Sequence, residues 1–137
     1  MTRRLLAALA PATLAFGLAA CGPSTGSPAP SVGPVIVTFE VSGDERFKVL
    51  LTDPADIRIA QRLLAGEDAP GIPDGRVVHQ TAVNTGYSWS LDPNDIRFTD
   101  VTDEDCDGSP SDVESGQLPG DRYCPSDAVV VAIDPAP

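Results

Sequence analysis

Alternating apolar and polar positions after residue 34 predict a β-hairpin. Residues 46–51 alternate in the same way as residues 35–41, and the polar stretch 42–45 separates the two segments. A period of two is typical of a strand with one buried face. On the buried side of the first segment we expect four apolar residues, Val35, Val37, Phe39 and Val41.

The apolar period then changes to that of a helix. Asp53 is a favourable N-cap, Pro54 suits the first helical position, and Gly66 supplies a stop. One face of the segment carries Ile57, Ala60, Leu63 and Leu64. The pattern predicts a helix over about residues 54–65 that covers one face of the sheet.

The rest of the chain reads as short strands between loops. Residues 67–75 form a Pro/Gly loop, and residues 84–86 and 92–95 are turn signals. The strand-like segments are 76–83, a short aromatic stretch at 87–91, then 96–101 and 128–133. We therefore predict an α+β fold, an antiparallel sheet of five or six strands packed with one helix and closed by one disulfide.

The N-terminus has the pattern of a lipoprotein signal. Arg3 and Arg4 precede an apolar run over residues 5–17, and Ala19 and Ala20 precede Cys21. The run is too short for a membrane helix, which needs about 20 apolar residues. We predict a signal peptide over residues 1–20, acylation of Cys21 with chains such as palmitate, and a protein anchored on the extracytoplasmic face of the cell membrane.

Composition divides the mature chain into a tether and one domain. Residues 21–34 comprise Cys21 followed by a Pro/Ser/Gly-rich tether, and residues 35–137 have the size of a single domain. Without Arg3 and Arg4 the chain keeps seven basic residues against 20 acidic ones, a formal charge of −13 (7 − 20). This charge disfavours nucleic acid and favours cationic partners or metal ions, although it also serves solubility.

The remaining cysteines, Cys106 and Cys124, are interpreted as a disulfide. An exported protein meets an oxidising compartment. The alternative, a thiolate metal site, lacks partners because the chain has one histidine.

One acidic segment has the spacing of a calcium loop, D-x-D-x-D-G-x5-E. Its predicted calcium ligands are Asp103, Asp105, Asp107, Ser109, Ser111 and Glu114. An EF-hand needs a flanking helix where the pattern here predicts a strand. The alternative interpretation is a capped helix, in which Ser109 is the N-cap, Pro110 the first residue, and Asp112 completes a capping box.

Two aromatic residues and two carboxylates are further candidates. Tyr87 and Trp89 could contact a sugar or a protein partner if exposed, and belong to the core if buried. Asp92 and Asp95 could serve a small hydrolase, but they stand in a turn signal. Because no nucleophile motif or phosphate loop accompanies them, we expect no enzyme.

From Phe47 to Pro125 the chain resembles a family of small secreted domains found in bacterial lipoproteins and elsewhere. The resemblance covers most of the predicted domain and implies a compact α+β domain with a Cys106–Cys124 bond and no catalytic residues. Family members often carry Trp after the Cys-Pro pair, where this chain has Ser126. The matching residues are Phe47, Leu51-Thr52-Asp53-Pro54, Ile57, Ala60, Leu63-Leu64-Ala65-Gly66, Gly86, Trp89-Ser90-Leu91-Asp92-Pro93, Ile96, Phe98, Cys106-Asp107, Leu118-Pro119-Gly120 and Arg122-Tyr123-Cys124-Pro125.

The sequence thus supports an anchored, non-catalytic binding domain with calcium as candidate cofactor and an envelope protein or a glycan as candidate partner. A structural accessory lipoprotein without metal is the alternative, and the carboxylate hydrolase is a third.

Overall fold

The computed structural model describes residues 32–79 and 82–137. The predicted signal peptide, the acylation site at Cys21 and most of the predicted tether lie outside the described residues. The elements, in chain order, are β1 (Val35–Val41), β2 (Glu45–Leu51), α1 (Pro54–Leu64), β3 (Ile72–Val78), β4 (Ser90–Thr99), α2 (Pro110–Glu114), β5 (Arg122–Tyr123) and β6 (Val129–Pro135).

The strands form two antiparallel sheets of three strands each. In the first sheet β1 lies between β2 and β6, and in the second β3 lies between β4 and β5. The prediction of a single sheet of five or six strands was therefore wrong, whereas the antiparallel pairing and the disulfide are as predicted. The described fold is mostly β with two short helices. Alternation identifies the buried face of each strand but not the strand that it pairs with, so the division into two sheets was not readable from it.

The first hairpin and the first helix form close to the predicted bounds, although Leu64, expected on the packed face of the helix, is 45% exposed. β1 and β2 pair in register from Val35 opposite Leu51 to Val41 opposite Glu45. Asp53 caps α1, and its side chain accepts the backbone N–H of Ala55 at 2.6 Å. The helix buries Ile57 and Ala60, because these residues lie on its apolar face.

The second sheet departs from the prediction at the residues read as loop and turn. β3 begins at Ile72, inside the predicted loop, and β4 runs straight through the predicted turn at 92–95. Gly75 pairs with Ile96 while Val77 pairs with Leu91, so residues 92–95 bulge out of one continuous strand. Residues 92–95 do interrupt the regular pairing, as their turn-forming side chains predicted. They form a bulge inside one strand, however, and not a boundary between two strands.

Four aromatic rings occupy the centre of the core, between the two sheets. Phe47 stacks on Phe39 with ring centroids 5.2 Å apart, and Tyr123 meets Phe47 edge-on at 5.3 Å. Trp89 lies 5.4 Å from Tyr123, also edge-on. These contacts bring β2, the start of β4 and β5 together. None of the helices in the described ranges is long and apolar enough to cross a membrane.

Candidate functional site

The predicted disulfide is present and closes the segment that carries four of the six predicted calcium ligands. Cys106 and Cys124 are 18 residues apart in sequence, and their Cα atoms are 5.1 Å apart. The backbone N–H of Cys124 also donates to the carbonyl oxygen of Cys106 at 2.7 Å. Closing a loop of this length stabilises the fold by about 3 kcal/mol in the chain-entropy description.

An open cleft of about 550 Å³ lies between the β1–β2 turn, the start of α2 and the loop that precedes β6. We call it the acidic cleft, because carboxylates and serines make up nearly all of its lining. The lining side chains are Ser42, Glu104, Asp107, Ser109, Asp112, Ser126 and Asp127.

Serines hold the carboxylates of this cleft in place. Ser126 donates its backbone N–H to Oδ1 of Asp107 and its hydroxyl to Oδ2, both at 2.8 Å. Ser42 donates its N–H and its hydroxyl to Oδ2 of Asp127, at 2.8 and 3.2 Å. We call such an arrangement, in which one serine donates both groups to one carboxylate, a serine clamp.

The third clamp of the cleft is also a helix cap. Ser109 donates its N–H and its hydroxyl to Oδ2 of Asp112 at 2.9 and 2.8 Å, and its side chain accepts the N–H of Asp112. Together these bonds form the capping box of α2, with Pro110 as its first residue. The hydrogen bonds from Ser109, first from its backbone and then from its side chain, lower the pKa of Asp112. The helix-cap interpretation of this segment is therefore confirmed.

Two further serine clamps attach α2 to the rest of the domain. Ser111 donates its N–H to Oε2 and its hydroxyl to Oε1 of Glu45, both at 2.9 Å. Ser88 donates its N–H and its hydroxyl to Oε2 of Glu114 at 2.9 and 3.1 Å. The short helix is thus tied to β2 and to the segment that leads into β4.

The structure distributes the predicted calcium ligands over three places. Asp107 and Ser109 line the acidic cleft, whereas Asp103 and Asp105 line a separate cavity beside the disulfide. Ser111 and Glu114 belong to α2, where the clamps to Glu45 and Ser88 hold them, because residues 110–114 are helical. The part of the chain that the structure describes contains no group of three or more His, Cys, Asp or Glu arranged to hold a metal ion. Calcium binding stays a prediction.

Of the two alternatives for Trp89, burial in the core is the one that the structure shows. Its side chain is only 1% exposed and lies among the aromatic rings, so it offers no platform to a ligand at the surface. Tyr87 is half-buried, and its hydroxyl donates to Oε2 of Glu45 at 3.4 Å. Burial, followed by the nearby Glu45 carboxylate, raises the pKa of Tyr87.

The carboxylates considered for hydrolysis are held in ion pairs. Nη2 of Arg76 lies 2.7 Å from Oδ2 of Asp92, and Nη1 of Arg122 lies 3.2 Å from Oδ1 of Asp95. The N–H of Asn94 and then the Arg76 side chain lower the pKa of Asp92. Both carboxylates of the bulge in β4 are thus paired with arginines of strands β3 and β5.

Ser42, Glu104, Ser126 and Asp127 line the acidic cleft but were not predicted as site residues. Glu104 lies close in sequence to Asp107, whereas Ser42, Ser126 and Asp127 reach the cleft through long-range contacts, such as that between Ser42 and Asp127, which are 85 residues apart in sequence. A serine beside an aspartate at 126–127 was the one local signal, and it is a common pair in any loop.

The fold and the cleft define a small, disulfide-bonded, mostly β domain with an acidic surface site. The model of one family, the BP-74 N-terminal domain, matches residues 33–137, and the chain therefore belongs to this family. The match bears out the expectation of a small domain family, although it does not test the residue pattern on which that expectation rested. Comparison with curated proteins and comparison with solved structures gave no match.

Proposed function

We propose that this protein is a lipid-anchored extracytoplasmic protein whose folded domain is a non-catalytic binding domain for a cationic partner. The observation that carries the proposal is the set of serine clamps on Asp107, Asp112 and Asp127 around the acidic cleft. Carboxylates fixed in this way lose little side-chain freedom when a cation binds, so less of the binding free energy is lost to ordering.

The charge of the whole chain supports a cationic partner. Acidic residues outnumber Lys and Arg by 20 to nine, and both arginines of the predicted signal would leave with it. Such a surplus attracts cations over a Debye length of about 8 Å at physiological ionic strength and repels nucleic acid. A basic segment of an envelope protein is therefore the partner that we propose. The glycan alternative loses its aromatic platform, because Trp89 is buried.

The proposed location rests on the signal pattern that ends at Cys21 and is supported by the disulfide, since disulfides persist in oxidising compartments. Replacing Cys21 by Ser tests it directly. We expect the native protein to fractionate with membranes and to carry acyl chains at its N-terminus, and the Cys21→Ser variant to lose both properties. An unacylated, unprocessed native N-terminus would refute the anchor.

The binding proposal is tested with the full-length Cys21→Ser protein and two cationic probes, hexalysine and calcium chloride, by isothermal titration calorimetry. Glu104→Gln removes one charge from the cleft without breaking a clamp, and Asp68→Asn removes one charge from an exposed residue beyond α1. We expect Glu104→Gln to weaken probe binding several-fold and Asp68→Asn to have much less effect.

The two probes separate the alternatives. Binding of hexalysine alone favours a basic protein segment, and a calcium response that Glu114→Gln abolishes favours the predicted loop. Failure of both probes would refute the binding proposal and leave a structural accessory lipoprotein.

A further inference from the structure

The two cysteines of the disulfide differ in exposure. Cys124 is 2% exposed, whereas Cys106 is 9% exposed and lines a surface cavity of about 280 Å³. We call it the disulfide cavity. Cys124 is not among the residues that line this cavity, so a reagent that enters it reaches Cys106 first.

One group beside Cys124, the hydroxyl of Thr102, can stabilise a sulfur that departs as an anion. The hydroxyl of Thr102 lies 2.7 Å from the carbonyl oxygen of Cys124 and 3.1 Å from its Sγ. Its single proton can therefore turn from the carbonyl to the sulfur when negative charge develops there. The carbonyl oxygen of Asp103 lies 3.6 Å from the same sulfur and can accept a bond from the protonated thiol.

We propose that the disulfide is a directional thiol–disulfide exchange site, at which an incoming thiolate attacks Sγ of Cys106 and Cys124 is the leaving group. A new bond forms between the reagent sulfur and Sγ of Cys106 while the Cys106–Cys124 bond breaks. The electron pair of the broken bond remains on Sγ of Cys124, where the Thr102 hydroxyl stabilises it until water supplies a proton. The reagent is a dithiol: its second thiolate attacks the reagent sulfur of the mixed disulfide, releases Cys106 as a thiolate and leaves the reagent oxidised.

The charge of the disulfide cavity selects among reagents. Its charged wall consists of four aspartates and two arginines, a formal charge of −2 (2 − 4): Asp74, Asp103, Asp105, Asp121, Arg97 and Arg122. Both arginines bind Asp74, at 2.6 and 2.8 Å, so the other three carboxylates dominate the field that an incoming reagent meets. A cationic thiol should therefore react faster than an anionic one.

Adduct mapping tests the direction of attack. The oxidised full-length Cys21→Ser protein reacts with cysteamine, acid stops the reaction, free thiols are alkylated, and mass spectrometry locates the cysteamine adduct. We expect at least roughly tenfold more adduct on Cys106 than on Cys124, because access decides which sulfur is attacked. Equal labelling, or labelling mainly on Cys124, would overturn the proposal.

Kinetics test the remaining steps. The reduction rate should rise linearly with thiolate concentration. The rate of each thiol with a small uncharged disulfide corrects for its intrinsic reactivity. After this correction, the rate should be several-fold higher for cysteamine than for 3-mercaptopropionate. Thr102→Val should slow reduction by roughly tenfold, because it removes a hydrogen bond to a charged sulfur, and Thr102→Ser should restore the rate. A rate independent of thiolate concentration would mean that unfolding limits access to the disulfide, and it would overturn direct attack on the folded protein. An unchanged rate in Thr102→Val would overturn the assignment of Cys124 as the leaving group.

Discussion

The clamp between Asp107 and Ser126 runs alongside the disulfide. Asp107 directly follows Cys106, Ser126 stands two residues after Cys124, and the carboxylate of Asp107 accepts both the N–H and the hydroxyl of Ser126 at 2.8 Å. A covalent link and two hydrogen bonds thus join the same two chain segments. Their effect is to fix one wall of the acidic cleft.

Ser126→Ala should lower the free energy of unfolding by about 1 kcal/mol, because it deletes the hydroxyl bond and keeps the N–H bond. Urea unfolding of the oxidised protein measures this. In an Asp107→Ala background the same change should cost much less, since the acceptor is already gone. An equal cost in both backgrounds would mean that the clamp does not stabilise the fold.

Asp53→Ala should destabilise the protein by about 1 kcal/mol, through loss of the N-cap bond to Ala55. Asp68→Ala, at an exposed site, is the matched control. Burial and then the neighbouring charge of Asp53 raise the pKa of Asp56, so the variant should also lower that pKa. Carbon-detected NMR titration of the Asp56 carboxyl group follows it, and a pKa that does not move would contradict the charge coupling.

The capping box predicts a specific acid dependence. Hydrogen bonds from Ser109 hold the pKa of Asp112 below its ordinary value of 3.8. A carboxylate with a depressed folded pKa stabilises the fold above its unfolded pKa, and the stabilisation is lost as the pH falls through the folded pKa. The stability difference between wild type and Asp112→Asn should therefore shrink as the pH drops from about 6 to about 2. A difference that stays constant over this range would exclude Asp112 as the titrating group.

Trp89, the only tryptophan of the chain, should show a blue-shifted emission that acrylamide barely quenches, because its side chain is 1% exposed. Acrylamide is the appropriate quencher because it is uncharged. An acidic protein repels iodide, and this repulsion would reduce quenching even of an exposed tryptophan. Unfolding in guanidinium chloride should restore full quenching. Efficient quenching of the folded protein would show that the Trp89 side chain is exposed.

Gly75→Ala tests the packing at the bulge in β4. A Cβ atom at Gly75 would lie 3.1 Å from Cδ1 of Leu91 and 3.3 Å from the carbonyl oxygen of Asp95. We expect a loss of about 1–3 kcal/mol from overpacking. Gly120→Ala is the control, because the nearest atom would be 3.9 Å away, and it should leave stability nearly unchanged. Equal effects would show that the bulge tolerates a side chain.

Local sequence patterns predicted the parts of the fold that depend on neighbours in the chain. The β1–β2 hairpin, α1 with its cap at Asp53, and the capping box of Ser109 all follow from residues that are close together in sequence. The continuity of β4 could not be predicted in this way. Pro93 and Asn94 are typical turn residues, and only the pairing of β4 with β3 shows that they form a bulge within one strand.

The acidic cleft was harder to predict than the fold. The calcium spacing found Asp107 and Ser109, but Ser42 and Asp127 join them only through contacts between distant parts of the chain. The same spacing also named Glu114, which the helical conformation of α2 directs to Ser88.

Amide chemical-shift mapping would show whether a cation binds in the acidic cleft. Isotope-labelled Cys21→Ser protein is titrated with hexalysine and followed by two-dimensional NMR. We expect the largest shifts on the amides of Ser42, Gly108, Ser109, Ser126 and Asp127, and we expect Glu104→Gln to reduce them more than Asp68→Asn does. Shifts spread evenly over the acidic surface, or no shifts at all, would contradict it.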